Sequence, residues 1–409
     1  MSYRFVKITT FYPDFLSGYY KKNPQISFRS YDEQLAHLMR QEYGWSDYFA
    51  THLRESGVEA FEIVANAVPL QEAWGREHGI RGGGREVVLA QLKALRPDVV
   101  FVQDSYMFRR DWVEEIRARI PTVRLVIGWC CASFTEEHFE NLRVFDCVLT
   151  CTPGFRDLFG KNGIRSYLMY HGFESKVLER LPAISDKRPV DFIFVGSVFL
   201  GSGQHIMRRQ LLERLLESGI DIRIIGSAGH QSLSRLWLKR GAYFASKVAK
   251  AAGLKGALQH TTYGRRVMAV DTYPENQQPS VKLSSALRPP IYGIEMLAQL
   301  AQCKIGFNVH VDASGRYAGN MRLFEVTGVG TCLLTDWKEN LHELFDEDYE
   351  IVTYRSIFEC EEKVAWLLDH PHEREKIAQA GQKKCLGKHS LEKRVAEVNE
   401  IILNCLACK

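Results

Sequence analysis

Arg322 and Glu325 stand three residues apart in YAGNMRLFEVTGVGTCLL (317–334), with Asn320 before them and Gly328 and Gly330 behind. If 319–327 is a helix, the two charges share a face. Their neighbours Met321, Leu323, Phe324 and Val326 are apolar. A surface ion pair at this spacing contributes only about 0.2–0.5 kcal/mol. Desolvating both charges costs more than that unless they are paired or meet a ligand. A carboxylate accepts from two vicinal hydroxyls of a ribose, and a guanidinium matches a phosphate.

A second junction of this kind is GSVFLGSGQHIMRRQ (196–210). Glycines between a strand and a helix let backbone N–H groups approach a phosphate, and the helix dipole favours the anion. Gly196 and Ser197 open the junction, while His205, Arg208 and Arg209 at the helix start add charged donors. No Gly-Lys-Ser/Thr follows, and Gly201-x-Gly203 is an incomplete dinucleotide motif, so a plain glycine turn is the competing reading. Taken together, the two junctions describe a pocket for a nucleoside diphosphate. Asn308 and His310 close the apolar run KIGFNVH, and either contact the same ligand or hold structural hydrogen bonds. Any proton transfer beside such a ligand needs a general base. Asp14, Asp47 and Asp104 in predicted loops, and His171 in YHGFE, are the candidates, although each aspartate also reads as a turn or cap residue.

The elements that position these residues alternate between short apolar runs and amphipathic segments, the pattern of α/β layers. Candidate strands are 4–11, 59–66, 98–104, 123–129, 145–151 and 166–172, then 191–197, 221–227, 304–310, 331–336 and 349–354. Their continuous Val, Ile, Leu and Phe content predicts parallel strands buried on both faces. YDEQLAHLMRQEYG and REVVLAQLKALRP read as helices, as does 207–218, with Met207, Leu211 and Leu215 on its inner face and Gly219 at its end. LPAISDKRPV (181–190) interrupts the rhythm as a linker. Two doubly wound domains are therefore expected, 1–182 and 188–388, with a basic insertion at 228–285. Ligands in such folds lie beyond the carboxyl ends of strands. Leu391, Val395, Val398 and Ile402 mark a helix in 389–409 that packs toward the first domain.

With 45% hydrophobic and 25% charged residues, the chain has a globular composition. A net charge of +4 is too small for a dedicated nucleic-acid binder, so no such partner is expected. The apolar runs are too short for a membrane span, and the first residues read as a buried strand, not an export signal. A cytoplasmic protein with reduced thiols follows as the expectation. Of ten cysteines only Cys405-x-x-Cys408 has metal-ligand spacing, and it lacks a second pair. Residues 231–266 carry eight Lys/Arg and no Asp or Glu, with Trp237, Tyr243 and Phe244 interleaved. That is either a solvated basic face or a contact for a phosphate-bearing acceptor or the inner surface of a membrane.

The run Asn320-Met321-Arg322-Leu323-Phe324-Glu325-Val326-Thr327-Gly328-Val329-Gly330, followed by LLTDWKENLHELF, resembles the C-terminal domain of CgeB-like glycosyltransferases, bacterial proteins of the GT-B type. The likeness continues through 349–382, KIGFNVHVD, TTFYPDFL, GWSDYF, NAVPLQEAWGREHG and RPDVVFVQD. It implies two Rossmann-like domains facing across a cleft, with the C-terminal helix crossing back. It also implies a nucleotide-diphosphate sugar as donor, an unspecified acceptor, no tightly bound cofactor and no required metal. By the same resemblance Glu325 meets the ribose, while Gly196, Ser197 and nearby basic residues face the diphosphate. Many retaining relatives carry a Glu-x7-Glu pair whose first member would fall on Tyr317, which leaves the stereochemical course open. A nucleotide-sugar 2-epimerase and a non-catalytic sugar-binding protein are the other readings of such a chain.

Overall fold

The apolar runs form two parallel sheets. In the first, β1 (Arg4–Thr9), β2 (Glu59–Val64), β3 (Val99–Val102), β4 (Leu125–Trp129), β5 (Cys147–Thr150) and β6 (Ser166–Leu168) lie in the order β2-β1-β3-β4-β5-β6. In the second, β7 (Val190–Val195), β8 (Arg223–Ile225), β9 (Leu287–Arg288), β10 (Cys303–Asn308), β11 (Cys332–Asp336) and β12 (Val352–Tyr354) lie in the order β12-β11-β10-β7-β8-β9. This is a computed structural model describing residues 2–132, 134–183, 188–198, 206–227, 233–253, 261, 264, 267–268, 270, 273–274, 279–311 and 315–408.

Parallel strands need crossovers, and helices supply them on both faces. On one face of the first sheet Val6, Ile8, Val100, Val102, Val126 and Val148 pack with Val88 and Leu92 of helix Gly84–Leu95 and Val113 and Ile116 of helix Arg110–Arg119. Each buried side chain of this size stabilises the fold by about 1.5–3 kcal/mol. The opposite face stacks Phe101, Trp45 and Phe49. Between β1 and β2 a buried ion pair joins Lys7 and Glu62 at 3.1 Å, with Lys7 also donating to the Ser46 carbonyl. Burial pushes the Glu62 carboxyl up to about 7, against the pull of Lys7.

By its contacts the chain divides into two compact units, Met1–Phe194 with Ile291–Lys409, and Val195–Pro290. In the first unit the C-terminal helix Leu391–Ala407 buries Leu391, Val395, Val398 and Ile402 and lies against helix Tyr48–Glu55. Ser390 caps its start by accepting from Lys393 N–H, and Tyr3 Oη donates to Asn399 at 2.6 Å. In the second unit helix Ile206–Glu217 buries Arg208, Leu211, Leu212 and Leu215. Met207, expected on that inner face, is exposed instead. The buried stripe runs through Arg208 because its guanidinium folds inward to a backbone carbonyl, described below.

Two further readings need correction. Cys131 and Cys151, expected as thiols, are joined as a disulfide. The run 166–172 is strand only over Ser166–Leu168; beyond it Phe173 N–H donates to the His389 carbonyl and the Phe173 carbonyl accepts from Leu391 N–H, a bridge to Ser390 in place of further sheet pairing. Strand β9 has only two residues and shows no periodicity from which to read it.

Candidate functional site

Strands β10 and β11 are in register, Asn308 opposite Thr335, so their carboxyl ends bring polar residues side by side. Asn308 Nδ2 donates to Thr335 Oγ1 at 2.8 Å, and Asn308 Oδ1 accepts from Asn320 Nδ2 at 2.7 Å. His310 donates its backbone N–H to Asp336 Oδ1 at 2.9 Å, and its Nδ1 lies 2.7 Å from the same oxygen. Burial opposes the charged form of Asp336, but His310 and then Lys338, 3.3 Å away, outweigh it and bring the carboxyl down to about 2. Two atoms of this group, Asn320 Oδ1 and His310 Nε2, are buried with no hydrogen-bond partner. A buried polar atom left in that state costs about 1–3 kcal/mol, which is a reason to look for a polar ligand here.

Residues 317–320 are irregular, and the helix is the short Arg322–Gly328, not 319–327. The loop is pinned by Asn340, which accepts from Ala318 N–H at 2.7 Å and donates to the Ala318 carbonyl at 3.1 Å. Gly319 leaves no room for a Cβ against the Cys151 carbonyl, and Tyr317 packs over Gly154. Arg322 and Glu325 pair with each other at 2.9 Å, each side chain 15% exposed. Arg322 also points a nitrogen at Met296 Sδ, 3.1 Å away. Burial raises the pKa of Tyr43 and of Tyr48, and the Glu325 carboxylate is among the charges that add to each shift. Glu325 thus lies within electrostatic reach of two tyrosines near the amino terminus. Gly328 is required by packing, since a Cβ there would overlap the Phe173 ring. Gly330, at φ +75°, makes the turn into β11, and its carbonyl accepts from Arg188 at 2.6 Å.

In the Val195–Pro290 unit, Gly196 N–H donates to the Ile225 carbonyl at 3.0 Å, and the Gly196 carbonyl leaves no space for a Cβ on Gly226. Arg208 donates to the Ser197 carbonyl at 2.7 Å and so braces this turn. His205 lies outside the described residues.

The candidate bases differ sharply from one another. Asp14 is exposed in the first turn of helix Pro13–Lys22, and its charge adds to the burial that raises the Tyr292 pKa. Asp104 has both oxygens engaged: Oδ1 accepts from Tyr106 and Met107 N–H at 3.1 and 3.0 Å, and Oδ2 accepts a short hydrogen bond from Thr10. It is the turn aspartate of the competing reading. His171 is 8% exposed between Trp45 and Trp129, and burial, reinforced by Arg394, brings its pKa down to about 3. Its imidazole is therefore neutral at physiological pH. Asp47 precedes helix Tyr48–Glu55 without a side-chain cap bond. Sequence reasoning missed Asp336, Tyr43 and Tyr48. Asp336 ends a predicted strand, and that position was itself a signal; the tyrosines carried none.

Residues 204–400 match the model of a family described as glycosyl transferase-like. No curated protein gives a match. Among solved structures, HepE from Anabaena in complex with UDP-glucose aligns with a TM-score of 0.55 at 10% identity, over 98% of this chain and 100% of its own. A glycosyltransferase from Rickettsia africae aligns with a TM-score of 0.54 at 10% identity, covering 99% of each chain. Sucrose-phosphate synthase from Thermosynechococcus elongatus gives 0.53 at 10% identity, over 90% and 94%. The class is thus an α/β protein with two parallel sheets, the GT-B architecture of such glycosyltransferases.

Proposed function

We propose that the chain transfers a sugar from a nucleotide-diphosphate sugar to an acceptor, as a CgeB-like member of the GT-B glycosyltransferases. The observation that carries this reading is the polar edge of β10 and β11, where Asn320 Oδ1 and His310 Nε2 are buried without partners in a glycosyl transferase-like domain. Glu325 accepts from the ribose hydroxyls, and Arg322, relieved of its pairing with Glu325, turns to the diphosphate. Asn308, Asn320 and His310 supply hydrogen bonds to the donor. Asp336 keeps the His310 ring oriented through Nδ1, leaving Nε2 for the ligand. HepE, an architectural neighbour, has been solved with UDP-glucose, which favours a UDP-sugar as the first donor to try. In the Val195–Pro290 unit, Arg208 donates to the Ser197 carbonyl, which braces a glycine turn of the kind that accepts a phosphate. Asp14, the exposed carboxylate among the candidates, is assigned the general base.

The acceptor is placed at an anionic surface. Helix Leu233–Ala251 exposes Trp237, Leu238, Phe244 and Val248 to solvent, and 231–266 holds eight cationic and no acidic side chains. An exposed apolar stripe flanked by Lys and Arg suits the inner face of an anionic membrane. Among the described residues no helix is long and apolar enough to cross one. Vesicles with and without anionic lipid test this by co-sedimentation: binding only to anionic vesicles is expected, and no binding to either would end it. Release of nucleoside diphosphate from UDP-, GDP-, ADP- and dTDP-sugars tests the activity. One donor should turn over, with Asp14→Asn slower in transfer but not in donor binding. Turnover of none, even with anionic vesicles present, contradicts the reading.

A further inference from the structure

Three side chains of the first sheet's carboxyl edge meet outside the proposed donor site. Cys131 follows β4, Cys151 follows β5 and His171 follows β6, so adjacent strands deliver them to one place. One ligand atom from each lies within 4.8 Å of the other two. His171 is more than nine-tenths buried, and its Nδ1 has no hydrogen-bond partner. The neighbouring Cys130 does not join them, because its Sγ lies 3.9 Å from His138 Nε2. The two sulfurs are bonded, with their Cα atoms 5.6 Å apart.

We propose that Cys131, Cys151 and His171 form a binding site for a soft divalent cation, zinc foremost, which opens when the disulfide is reduced. A dithiol reductant supplies two electrons and two protons, cleaving the S–S bond to two thiols and leaving the reductant as its own disulfide. The cation then displaces both thiol protons to solvent and takes two thiolates and one imidazole nitrogen. Two thiolates cancel its charge, which matters beside Trp45, Trp129 and the Arg394 guanidinium. A tetrahedral zinc holds such ligand atoms about 3.5–3.8 Å apart, inside the observed cluster once the sulfurs separate. Three protein ligands leave a fourth position open. The Cys151 carbonyl abuts Gly319, next to Asn320, so the state of the pair bears on the loop that carries Asn320.

The test uses the full chain, reduced with dithiothreitol, freed of it anaerobically and titrated with Co2+ as a spectroscopic probe. One equivalent is expected to give thiolate-to-cobalt absorption with the intensity of two thiolates, and Zn2+ should displace it. Oxidised protein, showing eight thiols instead of ten after denaturation, should bind none. Cys131→Ser and Cys151→Ser should abolish the absorption, and His171→Gln should weaken binding at least tenfold and shift the visible bands. No cobalt absorption in the reduced wild type would overturn the site. So would an intensity of fewer than two thiolates, a reading that needs no variant to fold, or an unchanged spectrum in Cys131→Ser. None of these readouts depends on sugar transfer, so the proposal and the transferase reading fail separately.

Discussion

At the carboxyl ends of β10 and β11, amides, an imidazole and carboxylates are hydrogen-bonded to one another, with a partly exposed Arg–Glu pair nearby. The first sheet treats charge the opposite way. Its carboxyl edge holds a neutral His171 between tryptophans and an Asp104 with both oxygens spent, and an ion pair, Lys7–Glu62, is sealed between β1 and β2. The first sheet's edge thus commits its Asp104 carboxylate to neighbouring donors while His171 Nδ1 stays unpartnered, and the second leaves Asn320 Oδ1 and His310 Nε2 open. A residue type alone does not say which; the partners it meets do.

The largest effect expected from breaking this contrast is in the sealed pair. Lys7→Met leaves Glu62 buried and uncompensated, and chemical denaturation should show a loss of about 3–5 kcal/mol. Adding Glu62→Leu should recover most of it, since an apolar pair of similar volume removes the desolvation cost.

The two sheets should also answer pH with opposite slopes. Asp336 falls from its ordinary 3.8 to about 2 in the folded chain, so its contribution is present above about pH 4 and lost as pH falls through 2. It is worth about 2 kcal/mol, and Asp336→Asn should remove that acid-side slope. Glu62 is raised from 4.5 to about 7, so its stabilisation is full below about pH 4.5 and lost as pH rises through 7. Glu62→Gln should flatten that limb while leaving the acid limb of Asp336 in place. Equal slopes in both variants would contradict the contrast.

A smaller effect distinguishes packing alone from packing coupled to binding within the second edge. Gly328→Ala pushes a methyl group into the Phe173 ring and should cost about 1–3 kcal/mol of stability with donor affinity unchanged. Asn320→Ala should weaken donor binding by roughly tenfold, and because it also strips the buried Asn308 Oδ1 of its donor it should cost about 1–3 kcal/mol of stability, so binding and packing move together there.

Much of this organisation was legible in the residues. Apolar runs of Val, Ile and Phe announced eleven of the strands of both sheets through their burial on two faces, and the stripe Leu391–Val395–Val398–Ile402 announced the C-terminal helix. Asn308, His310, Asn320, Arg322 and Glu325 were readable because they punctuate apolar sequence at strand or helix ends. What remained hidden depends on register and distance along the chain. Asp336 meets His310 only because β10 and β11 align Asn308 with Thr335. Cys131 and Cys151 are 20 residues apart, in no recognisable spacing, and are joined only through strand order. Gly328 abuts the ring of Phe173, a residue no periodicity connects to it.

The central claim is that the polar edge of the second sheet, with Glu325 beside it, binds a nucleotide sugar. Isothermal calorimetry with UDP-, GDP-, ADP- and dTDP-sugars tests it most directly on wild type and Glu325→Ala. One donor should bind the wild type at a single site, and the variant should lose about a hundredfold or more in affinity, the equivalent of two hydrogen bonds to a charged group. Absence of binding by every donor, or equal affinity in Glu325→Ala, would contradict the account.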